Sequence, residues 1–306
     1  MSSTPQKKAI LVTGATGKQG GAVISALLDA GADRSYDIVA VTRNPTSAPA
    51  RKLEASGVKL VQGDLDDVPA VFSSARSLLG PDTRIWGVYS VQTAIGKGAS
   101  AESEQRQGLA LVDEALASNV SHIVYSSIDR GGDASYDVQA PHRAPPRRRL
   151  QGEPTTTRWT ILRPVAFMDN MAPGLETKIM AASWRVAVRE KPLQLVAVRD
   201  IGRAAARAFL HPDEFAGREV PLAGDELTLE QANAVFRAKV GTEMPETFQF
   251  FVRFLHWMIA EFGAMYAWFY THGFRVDVAK SRRDNGGLLT FAEWIEQESQ
   301  YGQSSV

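Results

Sequence analysis

The chain has 306 residues, 44% of them hydrophobic, with 34 Lys and Arg against 34 Asp and Glu and no cysteine. That length can bury a large core as one domain or one and a half, and a formal net charge of zero supplies no field toward nucleic acid or an anionic membrane. Without cysteine there is no disulfide framework, thiolate metal site or cysteine catalysis, which fits a reducing compartment. The opening MSSTPQKK leads into only a short apolar run, so no signal peptide is expected, and no stretch of about 20 apolar residues is available to span a bilayer. The expectation is a cytoplasmic protein, or a nuclear one if its role is regulatory.

In chain order, AILVTG (9–14) reads as a short strand buried on both faces, and GGAVISALLDAG (20–31) as the helix after it, ended by Gly31. DIVAVTR (37–43) and VKLVQGD (58–64) are the second and third strands. VPAVFSSARSLLG (68–80) has helical spacing, and IWGVYSVQ (85–92) is a fourth strand. Residues 100–118 give an amphipathic helix through Leu109, Leu111, Val112, Ala115 and Leu116. HIVYSSI (122–128) and TILRP (160–164) are the fifth and sixth strands. This alternation predicts an α/β fold, a Rossmann-type doubly wound parallel sheet over residues 6–164. A smaller α+β lobe is expected over 165–306, with strands LQLVAV (193–198) and REVPLAG (218–224) and a helix DIGRAAARAFLHP (200–212) between them. That helix has a small-residue face through Ala204, Ala205, Ala208 and Phe209.

Two stretches resist simple reading. The window SYDVQAPHRAPPRRRLQGEPTTTRWTILRP (135–164) holds Pro141, Pro145, Pro146 and Pro154 where a helix would ordinarily cross between strands. An interior proline costs about 3 kcal/mol, so a solvated loop is expected, including Arg147–Arg149, which has too few neighbouring aromatics for nucleic acid. The second is ETFQFFVRFLHWMIAEFGAMYAWFY (246–270), apolar nearly all round. Burial in the lobe is the simplest account, with a wall against an apolar substrate or a partner surface as the alternatives. The five histidines, 122, 142, 211, 256 and 272, show no ligand spacing, and no metal is expected.

The chemical signal is Gly14-Ala15-Thr16-Gly17-Lys18-Gln19-Gly20, a G-x-x-G-x-x-G turn between the first strand and the first helix. Glycines there allow the tight turn, the approach of backbone to a pyrophosphate and close helix–strand packing, and the helix N-terminus favours the phosphates. The second strand ends in Thr42-Arg43-Asn44-Pro45, with no carboxylate until Glu54. Arg43 can clamp a ribose 2′-phosphate where an acid would bind the 2′-hydroxyl, which favours NADP over NAD. Asp64-Leu65 and Val91-Gln92-Thr93 occupy further strand ends, where such folds hold ligands; a turn-capping role is the competing account of Asp64.

VTGATGKQGGAV, VTRNP, VQGDLDD, HIVYSSID, WTILRPVAFMDNM, LQLVAVRDIG and HPDEFAGREVPLAGDELT, taken in this order, resemble the NmrA-like family, atypical members of the short-chain dehydrogenase/reductase superfamily. Within it, the chain looks like the fungal NmrA-like domain-containing oxidoreductases, from about residue 8 to residue 300. The resemblance implies NADP held by Gly14 to Gln19 at the phosphates and by Arg43, Asn44, Pro45, Thr46 and Ser47 near the 2′-phosphate. Asp64 and Leu65 would lie by the adenine. Val91, Gln92 and Thr93 would lie beside the ribose and nicotinamide, and Phe167, Met168, Asp169 and Asn170 would close over the nicotinamide. It also implies a small apolar, aromatic or polyketide-like substrate in fungal secondary metabolism or, in a non-catalytic redox sensor, a regulatory protein partner such as a transcription factor.

The same resemblance exposes two departures. Family members usually carry His-Phe-x-x-Lys at the start of a helix, with the lysine reaching the nicotinamide ribose; here His142 is followed by Arg143-Ala-Pro-Pro. Compensating frameshifts or genuine divergence over 141–156 would each give this pattern. Ordinary short-chain dehydrogenases use Tyr-x-x-x-Lys for proton transfer, but Tyr136 is followed at that spacing by Ala140. Tyr125 and Ser127 remain as candidate hydroxyls at the end of the fifth strand, with a buried strand tyrosine the plainer account of Tyr125.

Overall fold

The computed structural model describes residues 7–92, 100–132, 144–152 and 156–301. Strands β1 (Lys7–Val12), β2 (Tyr36–Thr42), β3 (Lys59–Gln62), β4 (Thr83–Ser90), β5 (His122–Ser126), β6 (Arg158–Pro164) and a later β9 (Arg218–Leu222) form one seven-stranded sheet in the order β3-β2-β1-β4-β5-β6-β9. The pairs from β3 through to β6 are parallel. Helices α1 (Lys18–Asp29), α2 (Ala48–Ala55), α3 (Val68–Leu79) and α4 (Ala101–Ala117) alternate with the strands. The Rossmann-type reading of the sequence holds. Strand order reverses between β1 and β4, and the crevice outside the carboxyl ends of those strands is where such sheets bind ligands.

The strands are apolar in unbroken runs because both faces are covered. On one face, Leu11, Val39, Val88, Ile123 and Ile161 pack with Phe72 and Ala75 of α3 and with Leu111, Val112 and Ala115 of α4. On the other, a Cβ on Gly87 of β4 would meet the Phe209 ring at 2.9 Å, and one on Gly202 would meet the Ala22 carbonyl at 2.4 Å. The helix Val198–Leu210 and α1 therefore lie against each other at van der Waals distance, with Ala204, Ala205, Ala208 and Phe209 buried as their small-residue spacing predicts.

The proline-rich window contains a helix after all. Residues Ala144–Gly152 are helical, so the expected loop is corrected there. Pro145 and Pro146 fall in the first turn, where backbone N–H groups have no intrahelical acceptor and a missing donor costs nothing. Leu150 is buried in the core, and Arg149 Nε lies 2.7 Å from Asp113 on α4. A Cβ on Gly108 of α4 would touch Pro146 at 3.0 Å, so the two helices pack closely. Pro141, His142, Arg143 and Pro154, with Tyr136 and Ala140, lie outside the described residues.

By internal contacts the chain divides into two compact units. One takes Met1–Ser127, Pro141–Leu162 and Ile201–Val220; the other takes Ile128–Ala140, Arg163–Asp200 and Pro221–Val306. In the second, β8 (Leu193–Val196) lies between β7 (Ala166–Phe167), which is parallel to it, and β10 (Asp225–Leu227), which is antiparallel. Buried polar side chains fasten its turns: the Gln194 amide exchanges two hydrogen bonds with Val276, and Asp200 Oδ2 accepts the Leu289 N–H at 2.7 Å. Phe291 and Trp294 stack 5.8 Å apart within the terminal helix Phe291–Gln297.

The apolar stretch over 246–270 forms two helices, Gln249–Met258 and Ala260–Thr271, joined at an extended Ile259. A Cβ on Gly263 would lie 2.4 Å from the His256 carbonyl, so the corner is closed tightly by glycine. Burial holds for the second helix, through Tyr266, Trp268 and Phe269. It fails for the first, where Val252 alone is buried and Phe250, Phe254 and Trp257 face outward. Which of its apolar sides has a partner is set by tertiary packing.

Candidate functional site

The site begins where β1 stops. Thr13, fully buried, places its hydroxyl 3.0 Å from the Tyr89 carbonyl and 3.1 Å from that of Val91, and accepts the Val91 N–H at 2.9 Å. The end of β1 is thereby locked to the end of β4. Gly14 then turns the chain at φ +58°, where a side chain would also collide with Val91 Cγ1 at 2.7 Å. Gly17 donates to the Gly14 carbonyl at 2.9 Å and is the N-cap of α1, without a side-chain cap. A helix N-terminus of this kind, without a side-chain cap, favours an anion beyond the turn. Gly20 seats α1 on the turn: a Cβ there would lie 2.3 Å from the Gly14 carbonyl oxygen and 2.7 Å from that of Thr13. Ala15 is buried beneath the turn, while Thr16 and Lys18 are exposed.

Gln19 faces the sheet. Its Oε1 accepts the Tyr89 hydroxyl at 3.2 Å and the Ser126 hydroxyl at 2.7 Å, joining the turn to the ends of β4 and β5. Thr13 and Tyr89 were not among the residues expected from sequence; the available signal was a polar atom at the last position or two of an otherwise apolar strand.

At the end of β2, Arg43 is exposed. The residues after it are occupied with one another: Asn44 Oδ1 accepts the Thr46 N–H at 3.0 Å, and the Ser47 hydroxyl both donates to the Asn44 carbonyl at 2.9 Å and caps α2. Pro45 sits inside this turn. Asp64 caps the single turn Leu65–Asp67 by accepting the Asp66 N–H at 3.1 Å, so it has the turn-capping role that competed with ligand contact. Leu65 packs partly buried against the core of the sheet. Asp66 itself, exposed, is held below the usual carboxylate range by hydrogen bonds from Gln107 and Arg106. Gln92, buried, donates to the Ser90 hydroxyl at 3.0 Å. Thr93 lies outside the described residues.

Alternation along β5 separates the hydroxyls there. Tyr125 points into the apolar core with Leu111, Val112 and Ile161, while Ser126 turns to Gln19. Ser127 is buried, and its N–H donates to the Leu162 carbonyl at 2.9 Å. At the other end of β5, His122 stands fully buried beside Trp86 and Phe209, its Nε2 2.8 Å from Thr160 Oγ1. Burial holds this histidine down to about 4.

In the second unit, Phe167 ends β7 and Met168 is fully buried in the turn Met168–Met171. Asp169 Oδ2 accepts the Val198 N–H at 2.8 Å, at the start of the Val198–Leu210 helix, and Asn170 is half-buried beside it in sequence. Arg163 and Asp129 form a largely buried ion pair at 2.9 Å. Among the described residues no group of three or more His, Cys, Asp or Glu could hold a metal, and no helix is long and apolar enough to cross a membrane.

A Rossmann-type sheet with a glycine turn at its switch point defines a broad class of nucleotide-binding folds. Within that class, residues 6–295 match the NmrA-like family, and the chain belongs to it. Among curated proteins it is 32% identical over 130 residues to the NmrA-like family domain-containing oxidoreductase lnaB of Aspergillus flavus, covering 40% of this chain and 35% of that protein. It is 26% identical over 261 residues to lnbB of the same organism, covering 76% of this chain and 73% of the other. The first of these matches thus spans about a third of its relative's length. Among solved structures it is similar to the triphenylmethane reductase of Citrobacter sp. complexed with NADP(H), at a TM-score of 0.72 and 19% identity, over 94% of this chain and 99% of that one. It is also similar to NmrA, a negative transcriptional regulator, in complex with NADP, at a TM-score of 0.66 and 16% identity, over 98% of each chain.

Proposed function

We propose that the protein is an NADP-dependent oxidoreductase that transfers hydride to or from a small apolar metabolite of aromatic or polyketide type, in fungal secondary metabolism. The observation that carries this reading is the turn Gly14–Gly20 feeding the uncapped N-terminus of α1 at the switch point, with exposed Arg43 and no carboxylate at the end of β2. The glycine turn, closed on α1 at Gly20 and carrying no side chain at Gly14 or Gly17, fits the approach of a pyrophosphate to the N-terminus of α1, and the Arg43 guanidinium fits a 2′-phosphate. Gly14 to Gln19 would hold the phosphates, and Arg43 the adenosine end. Ser47 and Asp64, engaged in capping, would support the backbone around the adenosine. The cofactor would supply the hydride; the chain would supply orientation, and exclusion of water by its apolar surroundings. The curated relatives named as oxidoreductases support the enzyme reading.

One observation favours a second reading. Tyr125 lies in the core and the spacing Tyr136 to Ala140 lacks the proton-transferring lysine, as suits a sensor that binds NADP(H) and reports redox state to a protein partner. The neighbour described as a transcriptional regulator binds NADP without being named an enzyme.

Fluorescence titration with NADPH and NADH tests the cofactor reading. NADPH is expected to bind at least about tenfold tighter, and Arg43→Ala to remove most of that margin, as loss of a charge-assisted contact of about 1.5–3 kcal/mol would. Equal affinities in the unsubstituted protein would sink the NADP assignment. Turnover of NADPH with aromatic ketones or quinones then separates enzyme from sensor.

A further inference from the structure

The helix Gln249–Met258 leaves a continuous apolar face outside the protein. Phe248 is 73% exposed, Phe250 72%, Phe254 51% and Trp257 79%, and Met258 and Ile259 continue the face at the corner. Spacing at 250, 254 and 257 puts these rings on one side of a helix. They are ordered against each other in pairs: Phe248 on Phe250 at 5.6 Å, and Phe254 on Trp257 at 5.8 Å. Soluble monomers seldom expose so large a contiguous apolar face without a partner for it.

We propose that this face is a two-fold interface between copies of the chain. Area is the first argument. At roughly 200 Å² for a large apolar side chain, these exposures leave about 700 Å² on each copy; a symmetric pair would bury about 1,400 Å², within the range of about 1,200–2,000 Å² for stable specific interfaces. Charge is the second. The chain is formally neutral, so copies do not repel at a distance. The face carries one exposed cation, Arg253, and one exposed anion, Glu261, follows at the corner. A two-fold axis that sets Arg253 of one copy against Glu261 of the other forms that ion pair twice, the self-complementarity of an isologous contact. An axis near Phe254 would oppose the two Arg253 guanidinia and is disfavoured. A lipid surface fits less well, because interfacial helices surround such a face with an excess of Lys and Arg.

Sedimentation equilibrium of the full chain at micromolar concentration is expected to give twice the mass of one chain. Trp257→Lys should give a single-chain mass with an unchanged circular dichroism spectrum, since Trp257 contributes little to the fold. Arg253→Glu and Glu261→Arg should each weaken association at least about tenfold, and the double reversal should restore it. That rescue is a readout that a damaged fold cannot mimic. A single-chain mass for the unsubstituted protein overturns the proposal, whether or not the protein floats with neutral phosphatidylcholine vesicles, which would assign the face to a membrane. A doubled mass that survives Trp257→Lys overturns it as well, and so does failure of the double reversal to restore association.

Discussion

The turn after β1 and the end of β5 lie two strands apart at the same edge of one sheet, and they are built on opposite principles. The turn is built through backbone: Gly14 bends it, Gly20 lets α1 close on it, and in the proposed function the N-terminus of α1 faces the phosphates. The end of β5 works through side chains: Ser126 reaches Gln19, Tyr125 fills the core, and His122 at the other end sits neutral against Thr160. A backbone site tolerates no added atom; a side-chain site tolerates exchange at a cost set by each hydrogen bond. The two regions should therefore answer substitution very differently.

The largest effect is expected at Gly20. In Gly20→Ala the new methyl must displace two backbone carbonyls, Gly14 at 2.3 Å and Thr13 at 2.7 Å, neither of which can rotate away as a side-chain tip could. A loss of about 3 kcal/mol or more in urea unfolding is expected, with dinucleotide binding reduced at least about a hundredfold. A variant as stable as the parent would mean that the turn adapts, and the contrast with β5 would collapse.

Next comes the acid limb of stability at His122. The Thr160 hydroxyl donates to the Phe215 carbonyl at 2.9 Å, so it accepts from His122 Nε2–H. The other ring nitrogen, Nδ1, has no partner among the described residues, and a proton there would be a buried, unsatisfied charge. Burial is the main cause of the depressed value, about 4 against an unfolded 6.5. In that interval the unfolded chain binds the extra proton, so stability is complete above pH 6.5 and falls as pH is lowered toward 4. With the residue fully buried, the loss over the window is on the order of 3 kcal/mol. Unfolding midpoints measured from pH 7 to 4 should fall more steeply for the parent than for His122→Gln; parallel slopes would show that the histidine does not carry the effect.

The same contrast explains what was legible in the sequence. Glycine spacing reports where backbone needs room and apolar runs report buried strands, so the turn and the parallel sheet could be read from the sequence. Hydroxyl identity says nothing about direction. Tyr125, Ser126 and Ser127 are three polar residues in a row, and the face each one takes depends on the pleat and on what the neighbouring helices bring, which is tertiary information. Prolines misled for a related reason: Pro145 and Pro146 break a helix interior but are tolerated in a first turn, and Pro146 there packs against Gly108 of α4. In the Gln249–Met258 helix, spacing marks Gln249, Arg253 and His256 as one polar stripe, but which of the remaining apolar sides is covered depends on what packs against it, which is tertiary information.

The smallest effect separates the two hydroxyls of β5. Ser126→Ala removes the 2.7 Å donor to Gln19 Oε1 and leaves the Tyr89 hydroxyl donating to that oxygen at 3.2 Å. A cost of about 1 kcal/mol is expected, with dinucleotide affinity weakened severalfold because Gln19 sits in the first turn of α1. Tyr125→Phe keeps the ring in the core with Leu111, Val112 and Ile161 and should leave dinucleotide affinity unchanged. If NADPH turnover is found, the tyrosine variant should retain it, since a ring packed among α4 side chains is on the wrong face of the strand to donate a proton beside Gln19. Loss of turnover in Tyr125→Phe with affinity intact would reverse that assignment. It would make the core tyrosine a proton donor and give the end of β5 the chemistry that its sequence leaves open.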